Sequence, residues 1–174
     1  IPFVFISYEV VSRICNQDLR NALFKSTNFE INTIILNILN EIKIFINYKE
    51  NINETNIYDF LRLNKKINTK QLIVDNINEE ILNNFQQDKN LLSSIIKKPT
   101  TLEVLDNDQI KILLSLFKEI NLLYNKLSLI KNEKINLQEK IFIAENFSTI
   151  LKTIKEWLEN LETDTLINYK NIKL

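Results

Sequence analysis

This chain of 174 residues has no glycine, no histidine and no methionine, one cysteine (Cys15) and two prolines (Pro2 and Pro99). Each absence removes a class of structure or chemistry. Tight β-hairpins and phosphate-cradling loops draw their positive φ angles from glycine, so Walker-type and dinucleotide-binding loops are excluded. A helical fold escapes that constraint, because asparagine can take the left-handed position at a helix end. Without histidine there is no imidazole base, no histidine-based triad and no imidazole metal ligand. One cysteine rules out an internal disulfide and a Cys/His zinc site. With no neighbouring base, Cys15 is read as a small buried hydrophobe rather than a nucleophile. The lack of disulfides leans towards a reducing compartment.

Alanine (Ala22 and Ala144) and arginine (Arg13, Arg20 and Arg62) are also scarce, while isoleucine, asparagine and lysine are inflated. Residues with A/T-rich codons are enriched throughout, so an AT-rich genome accounts for the asparagine without any function. Apolar residues make up 45% of the chain, enough for a core. A chain of this length buries roughly 70% of its unfolded surface and needs neither metal nor disulfide to fold. Lys plus Arg and Asp plus Glu both number 22, so the basic excess of a phosphate-binding surface is missing and nucleic acid is not an expected partner. No run of 18 apolar residues is present, which excludes a membrane-spanning helix. The first residue is Ile1, and a chain without methionine is expected to be a processed product or an excerpt.

The apolar spacing predicts helices almost throughout. Ile1 to Ile6 reads as a short strand or a helix start. Phe5-Ile6-Ser7-Tyr8 resembles the opening of a TIR domain. That fold needs alternating strands and helices and glycine-bearing loops, which are lacking, so the likeness assigns no family. Thr27 and Glu30 have the spacing of a capping box and predict a helix start. Phe29, Ile31, Ile34, Ile35, Ile38, Leu39, Ile42 and Phe45 follow at helical spacing. Asn47 to Asn56 reads as a loop, followed by a short helix carrying Ile57, Phe60 and Leu61. Asn78 is expected to cap a helix that begins with Glu79 and Glu80 and buries Ile81, Leu82 and Phe85. Asp88 to Lys98 reads as one more helix, stopped by Pro99. Asp106 or Asp108 is expected to cap a long helix that breaks near Lys131 to Asn136. A last helix is expected from about Phe147 to Leu161, with a weakly patterned tail after Thr163.

The fold class expected is all-α: an irregular helical bundle with a C-terminal long-helix hairpin or coiled-coil-like pair. The chain divides into an N-terminal helical region (1–98) and a C-terminal hairpin (99–174), packed together as one domain. Ile110, Leu113, Phe117, Ile120, Tyr124 and Leu127 step by 3 and 4 in alternation, an a/d seam of nearly three heptads. Together with Trp157 they form the candidate interface, either for a helix of the same chain or for one of a partner.

Several constellations have a plain structural reading. Glu103, Asp106 and Asp108 fit capping better than cation binding, because the calcium loop needs a central glycine. Glu156, Glu159, Glu162 and Asp164 read as a solvated acidic face. Arg62, Lys65, Lys66 and Lys70 form one local basic patch, on one side if helical, with no interleaved aromatics to stack bases. Asn53-Glu54-Thr55 and Asn146-Phe147-Ser148 match the N-glycosylation acceptor, at a frequency that an asparagine-rich chain produces by chance.

No catalytic, cofactor-binding or metal-binding residue is assigned. The function expected is therefore a non-catalytic helical protein–protein interaction module, a subunit or scaffold of a larger assembly. The alternative is a surface or secreted factor of a parasite, symbiont or virus that binds a host protein. After dialysis, elemental analysis of the purified chain is expected to find no stoichiometric zinc or other transition metal; a one-to-one zinc content overturns that exclusion.

Overall fold

The computed structural model describes the backbone of residues 2–74, 77–130 and 135–171, and the side chains of 12–70, 72–74, 77–130 and 135–161. Six α-helices account for most of it: α1 (Pro2–Phe45), α2 (Ile57–Leu63), α3 (Glu79–Lys97), α4 (Pro99–Val104), α5 (Asn107–Ile130) and α6 (Leu137–Asn171). A 3-10 turn at Thr69–Gln71 lies between α2 and α3, and no strand occurs among the described residues. The all-α class read from the sequence is what the chain adopts.

Helix α1 corrects two expectations. The segment Ile1 to Ile6 forms no strand: the helix begins at Pro2, where proline's fixed φ suits a first turn and its missing N–H costs nothing. Nor does the helix start at Thr27. No proline or glycine interrupts residues 3–45, so nothing stops the helix from running through the apparent capping box. Thr27 is buried within it, and Glu30 instead pairs with Lys98 at 2.6 Å. At 44 residues, α1 is about 66 Å long. Its C-terminal half carries the buried stripe Ile31, Ile34, Ile35, Ile38, Leu39, Ile42 and Phe45.

Asparagine does the work that glycine does elsewhere. Asn47, with φ 54°, takes the left-handed position beyond the end of α1, and the Tyr48 N–H donates back to the Lys43 carbonyl at 3.0 Å. The following loop is tied to α1 by Asn40, whose amide donates to the Ile52 carbonyl at 3.0 Å and accepts from the Ile52 N–H at 3.2 Å. Asn53 and Asn56 close the loop's own turns.

Asn78 caps α3 as expected, accepting from the Ile81 N–H at 2.9 Å. The two helices read across this region are one. Asp88 does not cap a second helix, because it falls on the same face as Phe85 and Leu92 and is carried inside. Pro99 ends α3 and opens α4 at its first turn. Asp106, rather than Asp108, caps α5. It accepts from the Asp108 and Gln109 N–H groups at 2.8 and 2.7 Å, and the Gln109 side chain accepts in return from the Asp106 N–H.

Helix α5 ends at Ile130, where a break was expected; Lys131 to Lys134 lie outside the described residues. Helix α6 is longer than expected at both ends. A reciprocal box starts it: the Asn136 side chain accepts from the Glu139 N–H, and Glu139 accepts from the Asn136 N–H, both at 3.0 Å. It runs through the tail after Thr163 to Asn171; residues 172–174 lie outside the described residues.

Helices α5 and α6 form the most extensive pair, followed by α3 with α5 and α1 with α3. Two contacts show that α5 and α6 run antiparallel: Lys126 with Glu139 at 3.0 Å and Asn146 with Glu119 at 2.9 Å. The buried residues of both halves of the chain belong to one cluster. Trp157 lies wholly inside it and donates from its indole N–H to Asn32 Oδ1 at 3.1 Å.

The heptad seam is spent internally, and shifted. Leu113, Leu116, Ile120, Leu123, Leu127 and Ile130 are buried, whereas Ile110, Phe117 and Tyr124 are half-buried. The reason is that α5 packs against α3 as well as α6, which widens its apolar face beyond one facing helix. Ile120→Asp places an unpaired charge at a fully buried site. It is expected to cost about 4 kcal/mol or more and lower Tm by roughly 10 °C. Leu129→Asp, at a position 74% exposed, is expected to leave Tm nearly unchanged. Equal melting of the two variants would show that the seam is not packed.

Candidate functional site

The projecting part of α1 carries the candidate interface. Every described side chain from Ser12 to Ala22 is exposed, although the backbone there is continuous helix. Ile14 is 54% exposed and Leu19 is 60% exposed. Burial begins only at Leu23 and Phe24, which pack at the edge of the core. At the root of this segment, Asn16, Gln17, Arg20, Asn21 and Phe24 face Val104, Asp106 and Gln109 across a groove of about 540 Å³. Cys15 sits on the exposed stretch and is not the buried residue that the sequence suggested. An isolated thiol packs into a core only where its helix meets one, and Cys15 lies on a stretch of α1 whose described side chains are exposed.

The residues singled out from the sequence are placed differently. Leu113, Ile120, Leu127 and Trp157 are buried inside the chain, so in this conformation they offer no surface to a partner. Ile110, Phe117 and Tyr124 remain partly accessible; the Tyr124 ring carries Lys89 4.3 Å above its centre. The basic patch does not share a helical face, because α2 ends at Leu63. Arg62 pairs with Asp59 at 3.1 Å. Lys65 instead joins Lys152 and Lys155 of α6 around a cleft of about 360 Å³, with Leu61 and Leu151 also in its lining. Lys66 and Lys70 are exposed apart from this cleft. On α6, Glu156 and Glu159 pair with Lys152 and Lys155, and the side chains of Glu162 and Asp164 lie outside the described residues. Asn146 is buried and bonded to Glu119, which removes it as a sugar acceptor.

Sequence reasoning missed the polar cleft between α1 and α3, about 250 Å³ in volume. Asn37, Asn40 and Glu41 line one side, and Asn84, Gln87 and Asp88 the other. Asn84 donates to Glu41 at 2.8 Å, and Asn37 reaches Asp88 at 3.4 Å. These two contacts also set the helices antiparallel. Burial pushes the Glu41 carboxyl above its usual pKa, against the Asn84 hydrogen bond. Burial raises Asp88 from 3.8 to about 6, with the Asn37 bond opposing and the Glu41 charge adding to the rise. The signal in the sequence was an acid at stripe spacing within α3, three residues after Phe85 and four before Leu92.

No family model, no curated protein and no solved structure matches this chain. The functional reading therefore rests on the surfaces just described.

The pH dependence of stability tests the buried acid. The folded chain holds the Asp88 proton more tightly than the unfolded chain, so the stability it contributes is complete below about pH 4 and is lost as pH rises through about 6. Asp88→Asn carries no charge at any pH. In metal-free buffer, the Tm of Asp88→Asn relative to the native chain is expected to climb between about pH 4 and 6 and to level off above. A difference that stays flat across that window overturns the assignment.

Proposed function

We propose that this chain is a non-catalytic helical module that binds another protein, serving as a subunit or scaffold of a larger assembly. The observation that carries this reading is the exposed stretch of α1, which presents Ile14 and Leu19 on a helix already formed. A pre-formed helix gives up little conformational entropy on docking, and Ile14 and Leu19, which point about 140° apart around the helix axis, offer a partner two separate apolar contacts. The lack of histidine and glycine supports the non-catalytic part of the reading.

Cys15 allows a direct test, because it is the only thiol in the chain and it lies between Ile14 and Leu19 on the exposed stretch. A maleimide photo-crosslinker at Cys15 is expected to trap one defined protein from the source cells. Moving the probe to the exposed position 128, in a Cys15→Ser, Ser128→Cys chain, is expected to lose that adduct. So is Leu19→Asp with the probe at Cys15. If the same proteins are trapped in all three cases, the stretch is not an interface.

A further inference from the structure

The cleft between α1 and α3 repeats one pattern on its two sides. Asn37, Asn40 and Glu41 on α1 oppose Asn84, Gln87 and Asp88 on α3. Each set is two carboxamides followed by a carboxylate, at i, i+3 and i+4. Every lining side chain thus carries at least one oxygen acceptor, and no basic residue is among them.

The two carboxylates are poorly satisfied. Asp88 is only 3% exposed, and its one hydrogen bond is long, Oδ1 accepting from Asn37 at 3.4 Å. Glu41 Oε2 is fully buried and has no partner, while Oε1 accepts from Asn84. The basic residues nearest to these acids in sequence are engaged elsewhere. Lys43 donates to the Glu50 carbonyl and to Asn51, and Lys89 lies over the Tyr124 ring. Glu80 adds a further negative charge felt at Glu41, outweighing that of Lys43. Buried carboxylates short of donors are neutralised by a proton or by a positive ion, and water supplies hydrogen bonds but no charge.

We propose that this cleft binds a hard divalent cation, Ca²⁺ or Mg²⁺, through Glu41 and Asp88. Two carboxylates neutralise a 2+ charge, and an all-oxygen donor set suits these ions. The Gln87 carboxamide oxygen and water complete the shell, and Asn37 and Asn84 join it through oxygen only if their amides turn over and release the hydrogen bonds to Asp88 and Glu41. Asn40 is not a ligand, since both ends of its amide are committed to Ile52. A softer transition metal is disfavoured, because the lining holds neither histidine nor cysteine. The ion fastens α1 to α3 directly beside the loop held by Asn40. This site is separate from the exposed stretch of α1 and does not depend on a protein partner.

Calorimetric melting of the full chain in metal-free buffer tests the site. Addition of CaCl₂ or MgCl₂ at about 10 mM is expected to raise Tm by roughly 3–6 °C over NaCl of equal ionic strength. The rise is expected to vanish in both Glu41→Gln and Asp88→Asn, which keep the side-chain shape and remove one charge each. Reading the salt-induced change within each variant separates ion binding from any change in its basal stability. The proposal fails if neither salt raises Tm, or if either variant keeps the full rise. It also fails if methylammonium chloride raises Tm as much as the divalent salts, which would mark the cleft as a seat for an ammonium group such as a partner's lysine.

Discussion

Three helices meet at Phe45. Its ring lies 5.2 Å from that of Phe147 on α6 and 6.3 Å from that of Phe85 on α3, each tilted rather than stacked face to face. The stripe from Ile31 to Ile42 extends the same contact along α1, and each of those side chains, once buried, contributes about 1.5–3 kcal/mol. Helix α1 therefore packs along α3 and touches α6 at a few points, while α6 lies chiefly against α5. Trp157 fixes the far end of α6 against α1 through Asn32, and the Glu30 to Lys98 pair does the same for the end of α3. Helix α5 closes the bundle from the other side.

Carboxamides do much of the polar work in this molecule. Asn47 turns the chain after α1, Asn40 clamps the loop that follows, Asn78 and Asn136 start helices, and Asn32 and Asn84 bridge helices. A side chain that donates and accepts at once can satisfy a backbone group and a neighbouring residue from the same position. The abundance of asparagine has thus been put to structural use. It replaces glycine at the one positive φ among the described residues.

The sequence made visible what short-range chemistry decides. The all-helical class, the Asn78 cap, the stop at Pro99 and the cap at Asp106 all follow from a few adjacent residues. What it concealed depends on neighbours distant in the chain. Asp88 looks like the start of a separate helix until α1 is laid against its face. The seam of α5 looks two-sided until α3 is seen to widen it, so Leu116 and Leu123 bury while Phe117 does not. Thr27 and Glu30 have the right spacing for a cap, but a cap also needs the helix to stop, and no residue before them stops it. The exposed stretch of α1 was missed for the same reason. Ile14 and Leu19 lie off the face of the stripe that begins at Ile31, and only the finished bundle shows them exposed. The start of α6, by contrast, was legible in the Asn136 and Glu139 pair and was simply passed over in favour of the later apolar stripe.

The Asn32 to Trp157 bond also sets the order in which a growing chain can complete itself. The two residues are 125 positions apart, and a ribosome adding 5–20 residues per second needs roughly 6–25 s to make the second after the first. For that interval the isoleucine face of α1 has left the exit tunnel without α6 to cover it, and α3 shields only part of it from about midway. The nascent chain thus spends seconds displaying a long apolar helix. It is during this interval, rather than in the finished bundle, that holding by a chaperone would matter most.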